Sequence, residues 1–274
     1  MRLLLALAAC TIPALAWAAE PVAVEIPSGD AKVRGQLYKP EGSGPFAVVI
    51  GLHGCDGLFN AQGMPSSRYR DWAQRLAAAG FAVIYPDSYG SRGLIGSQCT
   101  VRSRAVRSER ERVNDIQAVR NWLNAQDWVA NDRIALLGWS NGGIAALWAV
   151  RPRLAPNDSK PDFRSAAALY PGCRRLLNAA WSTRVPTLVL IGSADDQNRP
   201  AECQQMVAGA RGRSARAVIH VYPGAYHDFD HPSRRVQARS GYAFSSDGSG
   251  RVHTGTNPSA RADALKRVPE WLKR

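Results

Sequence analysis

The chain has 274 residues, of which 45% are hydrophobic, enough to bury a sizeable core. Its formal net charge is +13, a balance that can signal nucleic-acid binding. The arginines are dispersed, however, and the densest run, Arg102 to Arg112, also holds Glu109 and Glu111. The expectation is therefore a solvated basic exterior with no nucleic-acid partner, able to steer anionic substrates.

The chain opens with one positive charge, Arg2, and an apolar run that ends at Ala16-Trp-Ala18-Ala19. This is the form of a secretory signal peptide, residues 1–19, cleaved near Ala18/Ala19. It predicts a periplasmic or secreted protein. The run is shorter than the roughly 20 residues a membrane span needs, and Pro13 interrupts it, so stable membrane insertion is not expected. Leu7-Ala-Ala-Cys10 offers a lipoprotein site instead, but little hydrophobic segment precedes Cys10.

Residues 20–274 carry no repeat and no low-complexity linker, which predicts a single domain. Val22–Ile26 and Val33–Tyr38 alternate as a leading antiparallel hairpin would. Phe46–Leu52 is a continuous apolar run, as in a strand buried on both faces. Tyr69–Ala79 has helical spacing, and Phe81–Tyr85 is the next strand. Residues 88–104 read as a loop, and Ser108–Gln126 as a long amphipathic helix. Ile134–Leu137, Ala166–Leu169, Thr187–Ile191 and Val218–Tyr222 are further strands. Gly142–Val150, Glu202–Arg211 and Ala260–Lys273 are helical. Short apolar strands alternating with helices predict an α/β fold, with a mostly parallel sheet flanked by helices on both faces.

Parallel sheets place their sites at the carboxyl ends of the strands. His53, Ser140, Asp195 and His227 all follow predicted strands. Gly138-Trp-Ser-Asn-Gly142 lies between a strand and a helix, where small residues let the backbone close tightly around Ser140. Nucleophilic acyl transfer needs an activated hydroxyl, a base and a group that orients the base. Ser140 is the candidate nucleophile. His227, in a Pro-Gly loop after the last strand, is the candidate base. Its rivals are His220, inside a strand, then His231 and His253. Asp195 is the candidate orienting acid, with Asp196 the immediate rival. The oxyanion donors would be the backbone N–H groups of Asn141 and Cys55. His53 is expected to be structural. His227 and His231 have no evident third ligand, so no metal is expected.

Four cysteines remain after processing and allow three pairings. Cys55–Cys99 with Cys173–Cys203 is preferred, since each would join two loops at one end of a parallel sheet; free buried thiols are the alternative. Arg92 and Arg102 are candidates to bind a substrate carboxylate. Selectivity falls to the segments 55–68, 88–107 and 229–258.

With these residues in view, the chain resembles the dienelactone hydrolase family of α/β-hydrolases over nearly its whole mature length. The pieces are His53-Gly-Cys-Asp-Gly57, Tyr85-Pro-Asp87, Gly138-Trp-Ser-Asn-Gly-Gly143, Gly192-Ser-Ala-Asp195 and Tyr222-Pro-Gly-Ala-Tyr-His227-Asp-Phe229. The resemblance implies an α/β-hydrolase sheet, no cofactor, and hydrolysis of a small ester or lactone. Founding members use a Cys nucleophile in the cytoplasm, whereas this chain has Ser140 and a leader. That departure points toward a serine esterase working through an acyl-enzyme. A peptidase or acyltransferase shares the same first half-reaction, and a non-catalytic envelope binding protein is the alternative from another class.

Overall fold

The computed structural model describes residues 20–29 and 31–274, so the expected leader, residues 1–19, lies outside the described residues. Strands β1 (Val22–Ser28) and β2 (Ala31–Tyr38) form the antiparallel hairpin. Six more strands complete the sheet: β3 (Phe46–Leu52), β4 (Phe81–Pro86), β5 (Val129–Trp139), β6 (Ala166–Leu169), β7 (Thr187–Gly192) and β8 (Ala217–Tyr222). The strand order is β1-β2-β4-β3-β5-β6-β7-β8. All pairs from β4 to β8 are parallel, and β2 meets β4 antiparallel.

Burial explains the sequence pattern. Every residue of β4, β6 and β7 is buried, which is why these strands are apolar throughout rather than alternating. The edge strand β1 alternates because one face meets solvent. The helices are α1 (Ser67–Ala78), α2 (Glu111–Leu123), α3 (Asn141–Ala149), α4 (Arg174–Asn178), α5 (Pro200–Gly209) and α6 (Pro258–Leu272). Helix α1 packs on β4 through Trp72, Ala73 and Leu76, α2 on β1 and α3, α5 on β8, and α6 on β6 and β7. Among the described residues no helix is long and apolar enough to cross a membrane.

Two local readings change. Helix α2 starts at Glu111 rather than Ser108, because Ser108 Oγ instead donates to the Asn141 carbonyl, 3.3 Å away. Strand β5 begins at Val129, five residues earlier than its apolar core suggests. Within segment 229–258, β9 (Gln237–Arg239) and β10 (Val252–Thr254) pair antiparallel. The disulfides are Cys55–Cys99 and Cys173–Cys203, the preferred pairing.

The turn from β5 into α3 is closely packed. Ser140 has φ 51° and ψ −112°, a region that side chains rarely occupy. A Cβ on Gly138 would stand 2.3 Å from the Gly142 carbonyl oxygen, and one on Gly142 would stand 1.9 Å from the Leu52 oxygen. Those atoms are backbone and cannot give way. Gly142→Ala should therefore cost on the order of 4 kcal/mol or prevent folded protein from accumulating. Gly209→Ala is the control, since a Cβ there meets nothing within 4 Å. Urea denaturation checks both; a native-like midpoint for Gly142→Ala would contradict the packing described.

Candidate active site

The sheet brings together side chains distant in sequence. Ser140 Oγ lies 3.0 Å from His227 Nε2, and His227 Nδ1 lies 2.8 Å from Asp195 Oδ2. All three residues are buried. Asp195 Oδ1 accepts from the N–H groups of Gln197 (3.0 Å) and Asn198 (2.9 Å), which aims Oδ2 at the imidazole. The His227 loop is seated on β7 itself: a Cβ on Gly192 would stand 2.0 Å from the Ala225 carbonyl, and Ala194 N–H donates to that carbonyl. On the other side Gly255 N–H donates to the His227 carbonyl, and the Tyr170 ring packs against the imidazole at 4.5 Å.

The rival carboxylate is occupied elsewhere. Asp196 Oδ2 meets His253 Nδ1 at 2.7 Å, and its Oδ1 accepts from the His253 N–H at 2.8 Å. Asp196 thus anchors β10, while Asp195 faces His227. His231 Nε2 lies 3.3 Å from Ser67 Oγ, and the His220 ring meets the Tyr222 ring edge to face. Among the described residues no group of three or more His, Cys, Asp or Glu could hold a metal ion.

Cys55 and Asn141 line the same cleft as Ser140. Among the described residues neither backbone N–H has a hydrogen-bond partner. The Cys55 loop is fixed by its disulfide to Cys99, by Gln98 N–H donating to the Cys55 carbonyl at 2.8 Å, and by Gly54 N–H donating to Tyr69 Oη at 2.8 Å. The Asn141 side chain is held through Oδ1, which accepts from Tyr89 Oη at 2.9 Å and from Arg112 Nη1 at 2.7 Å. His53 is wholly buried, with Nδ1 on the Gly54 carbonyl at 2.8 Å and no hydrogen bond to Ser140 or His227. Burial, reinforced by the Arg112 charge, holds it well below the ordinary imidazole value and therefore neutral.

A layer of buried polar groups beneath the site was not visible from sequence. Asp230 is fully buried and accepts from Trp72 Nε1 (2.7 Å), Trp139 Nε1 (2.8 Å) and Tyr170 Oη (2.6 Å). Trp139 precedes Ser140 and Tyr170 supports His227, so one carboxylate steadies both. Asp228, next to His227, pairs with Arg68 at 2.6 Å and with Arg234. Burial alone would raise its pKa, but the charges of Arg68, His227, Arg234 and His231 together outweigh that and keep it ionised. The acids of Asp228-Phe-Asp230 adjoin the candidate base, yet apart from Arg234 their partners lie on α1, at the end of β5 and just after β6, beyond any local pattern.

The cleft encloses ≈ 510 Å³ and is lined by Arg102, Arg104 and Arg199 with Phe244. Arg102 therefore stands where a substrate carboxylate could meet it. Arg92 does not: its guanidinium grips Asp115 at 2.8 and 2.9 Å, pinning the loop after β4 to α2.

Fold and geometry define an α/β-hydrolase. A dienelactone hydrolase of Anabaena variabilis is 19% identical, with a TM-score of 0.61 over 93% of this chain and 97% of its own. The Pyrococcus furiosus esterase Pf2001 is 18% identical, with a TM-score of 0.61 over 98% of this chain and 97% of its own. Among curated relatives, the uncharacterized peptidase YuxL of Bacillus subtilis is 22% identical over 75% of this chain. This chain spans 35% of that relative's length. Residues 33–274 match the profile of the dienelactone hydrolase family, and the chain belongs to that family.

Burial disfavours the His227 cation, but the Asp195 carboxylate and its hydrogen bond outweigh it and hold the ring above the ordinary value of 6.5. An NMR titration should give His227 a midpoint above 6.5 in the native protein. Asp195→Asn should bring it down, while Asp196→Asn leaves it in place. Equal effects of the two substitutions would contradict the assignment of Asp195 to this imidazole.

Proposed function

We propose that the protein is a serine hydrolase that cleaves a small ester or lactone through an acyl-enzyme on Ser140. The observation that carries this reading is the continuous path from Ser140 Oγ to His227 at 3.0 Å and on to Asp195 at 2.8 Å. With Nδ1 donating its proton to Asp195, Nε2 can accept the Ser140 hydroxyl proton as Oγ bonds to the substrate carbonyl carbon. The carbonyl oxygen becomes an anion facing the N–H groups of Cys55 and Asn141. Collapse breaks the bond to the alkoxy group, which leaves as the alcohol with the proton from His227. Water then adds to the acyl-enzyme by the same route, and Ser140 regains its proton.

The arginines of the cleft suit a substrate that carries a carboxylate apart from the scissile bond, with Arg102 its partner. A leader of residues 1–19, cleaved near Ala18/Ala19, and a single domain of residues 20–274 complete the proposal. The two disulfides fit an oxidising compartment such as the periplasm or the exterior.

Hydrolysis of p-nitrophenyl acetate by residues 20–274 tests the reading. Ser140→Ala and His227→Ala should each lower kcat by about 10⁴-fold or more, and combining them should add little, because the pair works as a unit. Asp195→Asn should cost about 10³- to 10⁴-fold, and Asp196→Asn less than about tenfold. Retained turnover in Ser140→Ala would overturn the proposal. Release of p-nitroaniline from an acyl anilide without ester turnover would replace it with a peptidase.

A further inference from the structure

Arg112 stands apart from the other buried arginines. It sits in the first turn of α2 with its side chain wholly inaccessible. Arg68 and Arg120 are buried too, but each meets a carboxylate, Asp228 at 2.6 Å and Asp158 at 2.9 Å respectively. Arg112 forms no ion pair among the described residues. Its guanidinium makes one hydrogen bond, Nη1 to Asn141 Oδ1 at 2.7 Å, and lies over the Tyr89 ring at 5.4 Å. Nε and Nη2 have no partner among the described residues. A buried cation without a counter-ion is costly to the folded state. His53 is neutral, and Asp87 feels the Arg112 charge, which pulls its carboxyl down against the rise that burial causes, but the two form no ion pair among the described residues.

Among the described residues, the one side chain this charge hydrogen-bonds belongs to the residue after Ser140. On the reading proposed above, the Asn141 N–H faces an oxygen that is neutral in the bound ester and anionic once Ser140 has attacked. A fixed positive charge behind that N–H favours the second state over the first, which lowers the barrier without tightening substrate binding. We infer that Arg112 is a positioning residue that locks Asn141 and supplies the counter-charge of the oxyanion hole. A carboxylate in direct contact with Arg112 would neutralise the field that the transition state uses, and none is present among the described residues.

The test rests on the proposed serine mechanism and compares native protein, Arg112→Met and Arg112→Lys. Three quantities are read: kcat and KM on p-nitrophenyl acetate, Ki for phenylboronic acid, and Tm. The boronate is informative because Oγ bonds to boron, the Ser140 proton passes to His227, and the resulting tetrahedral adduct is anionic like the intermediate. In Arg112→Met, kcat should fall about 10- to 100-fold with KM within about twofold. The boronate Ki should rise by a similar factor. The Lys variant, which keeps the charge, should recover to within about fivefold of native. The Met variant should melt no lower than native, because an uncompensated buried charge has gone. Native kcat and Ki in a folded Met variant would overturn the inference. So would equal losses in Met and Lys, or a Met variant that cannot fold. Failure of the native protein to turn over the ester or bind the boronate would instead overturn the serine mechanism, and this inference with it.

Discussion

At Ser140 the chain reverses from β5 into α3 with φ 51°, and it can do so only because residues 138 and 142 have no side chains. Such a backbone costs about 1–3 kcal/mol and persists where its surroundings over-determine it. Here they do. Ser140 N–H donates to the Leu169 carbonyl and Ile144 N–H to the Ser140 carbonyl, both at 2.9 Å. Helix α3 behind the turn is almost entirely buried. The strain aims Oγ at His227, and among the described residues the Asn141 N–H has no partner. The same principle recurs across the sheet edge, where Gly192 lets the His227 loop lie against β7. Two close backbone approaches thus set the distances on which the proposed chemistry depends.

Around these approaches the protein places charge where an ordinary core would be apolar. Asp230 collects three donors, and Asp228 is held ionised by Arg68 and Arg234. Buried ions stabilise poorly compared with apolar packing, but removing one partner is severe. Such a network rewards a single arrangement of its members. Two of them, Trp139 and Tyr170, touch the proposed catalytic residues directly. Arg112 is the exception, a buried cation whose partner is an amide oxygen rather than an acid.

The legible parts of the sequence were those with local causes. Strands buried on both faces leave unbroken apolar runs, so β3, β4 and β7 could be placed closely. The Gly138–Gly142 spacing follows from backbone crowding, and the disulfide pairing from loops that share one sheet edge. Asp195 and Asp196 could not be separated, because the choice is made by His253, 57 residues downstream of Asp196 and part of β10. Arg92 and Arg102 looked alike in a loop without periodicity; only the position of Asp115 on α2 sends one inward and leaves the other in the cleft. For the same reason the sequence passes over Asp230 and counts Arg112 in a solvated basic exterior, whereas Arg112 is wholly buried. A buried polar group is defined by partners on other elements, and those partners come together only in the fold.

The central claim, that Ser140 is an activated nucleophile, is tested most directly by a fluorophosphonate and peptide mass spectrometry. The account predicts a single adduct on the peptide containing Ser140, formed rapidly near neutral pH and ever more slowly as His227 becomes protonated. An unlabelled protein, or an adduct on any other residue, would contradict it.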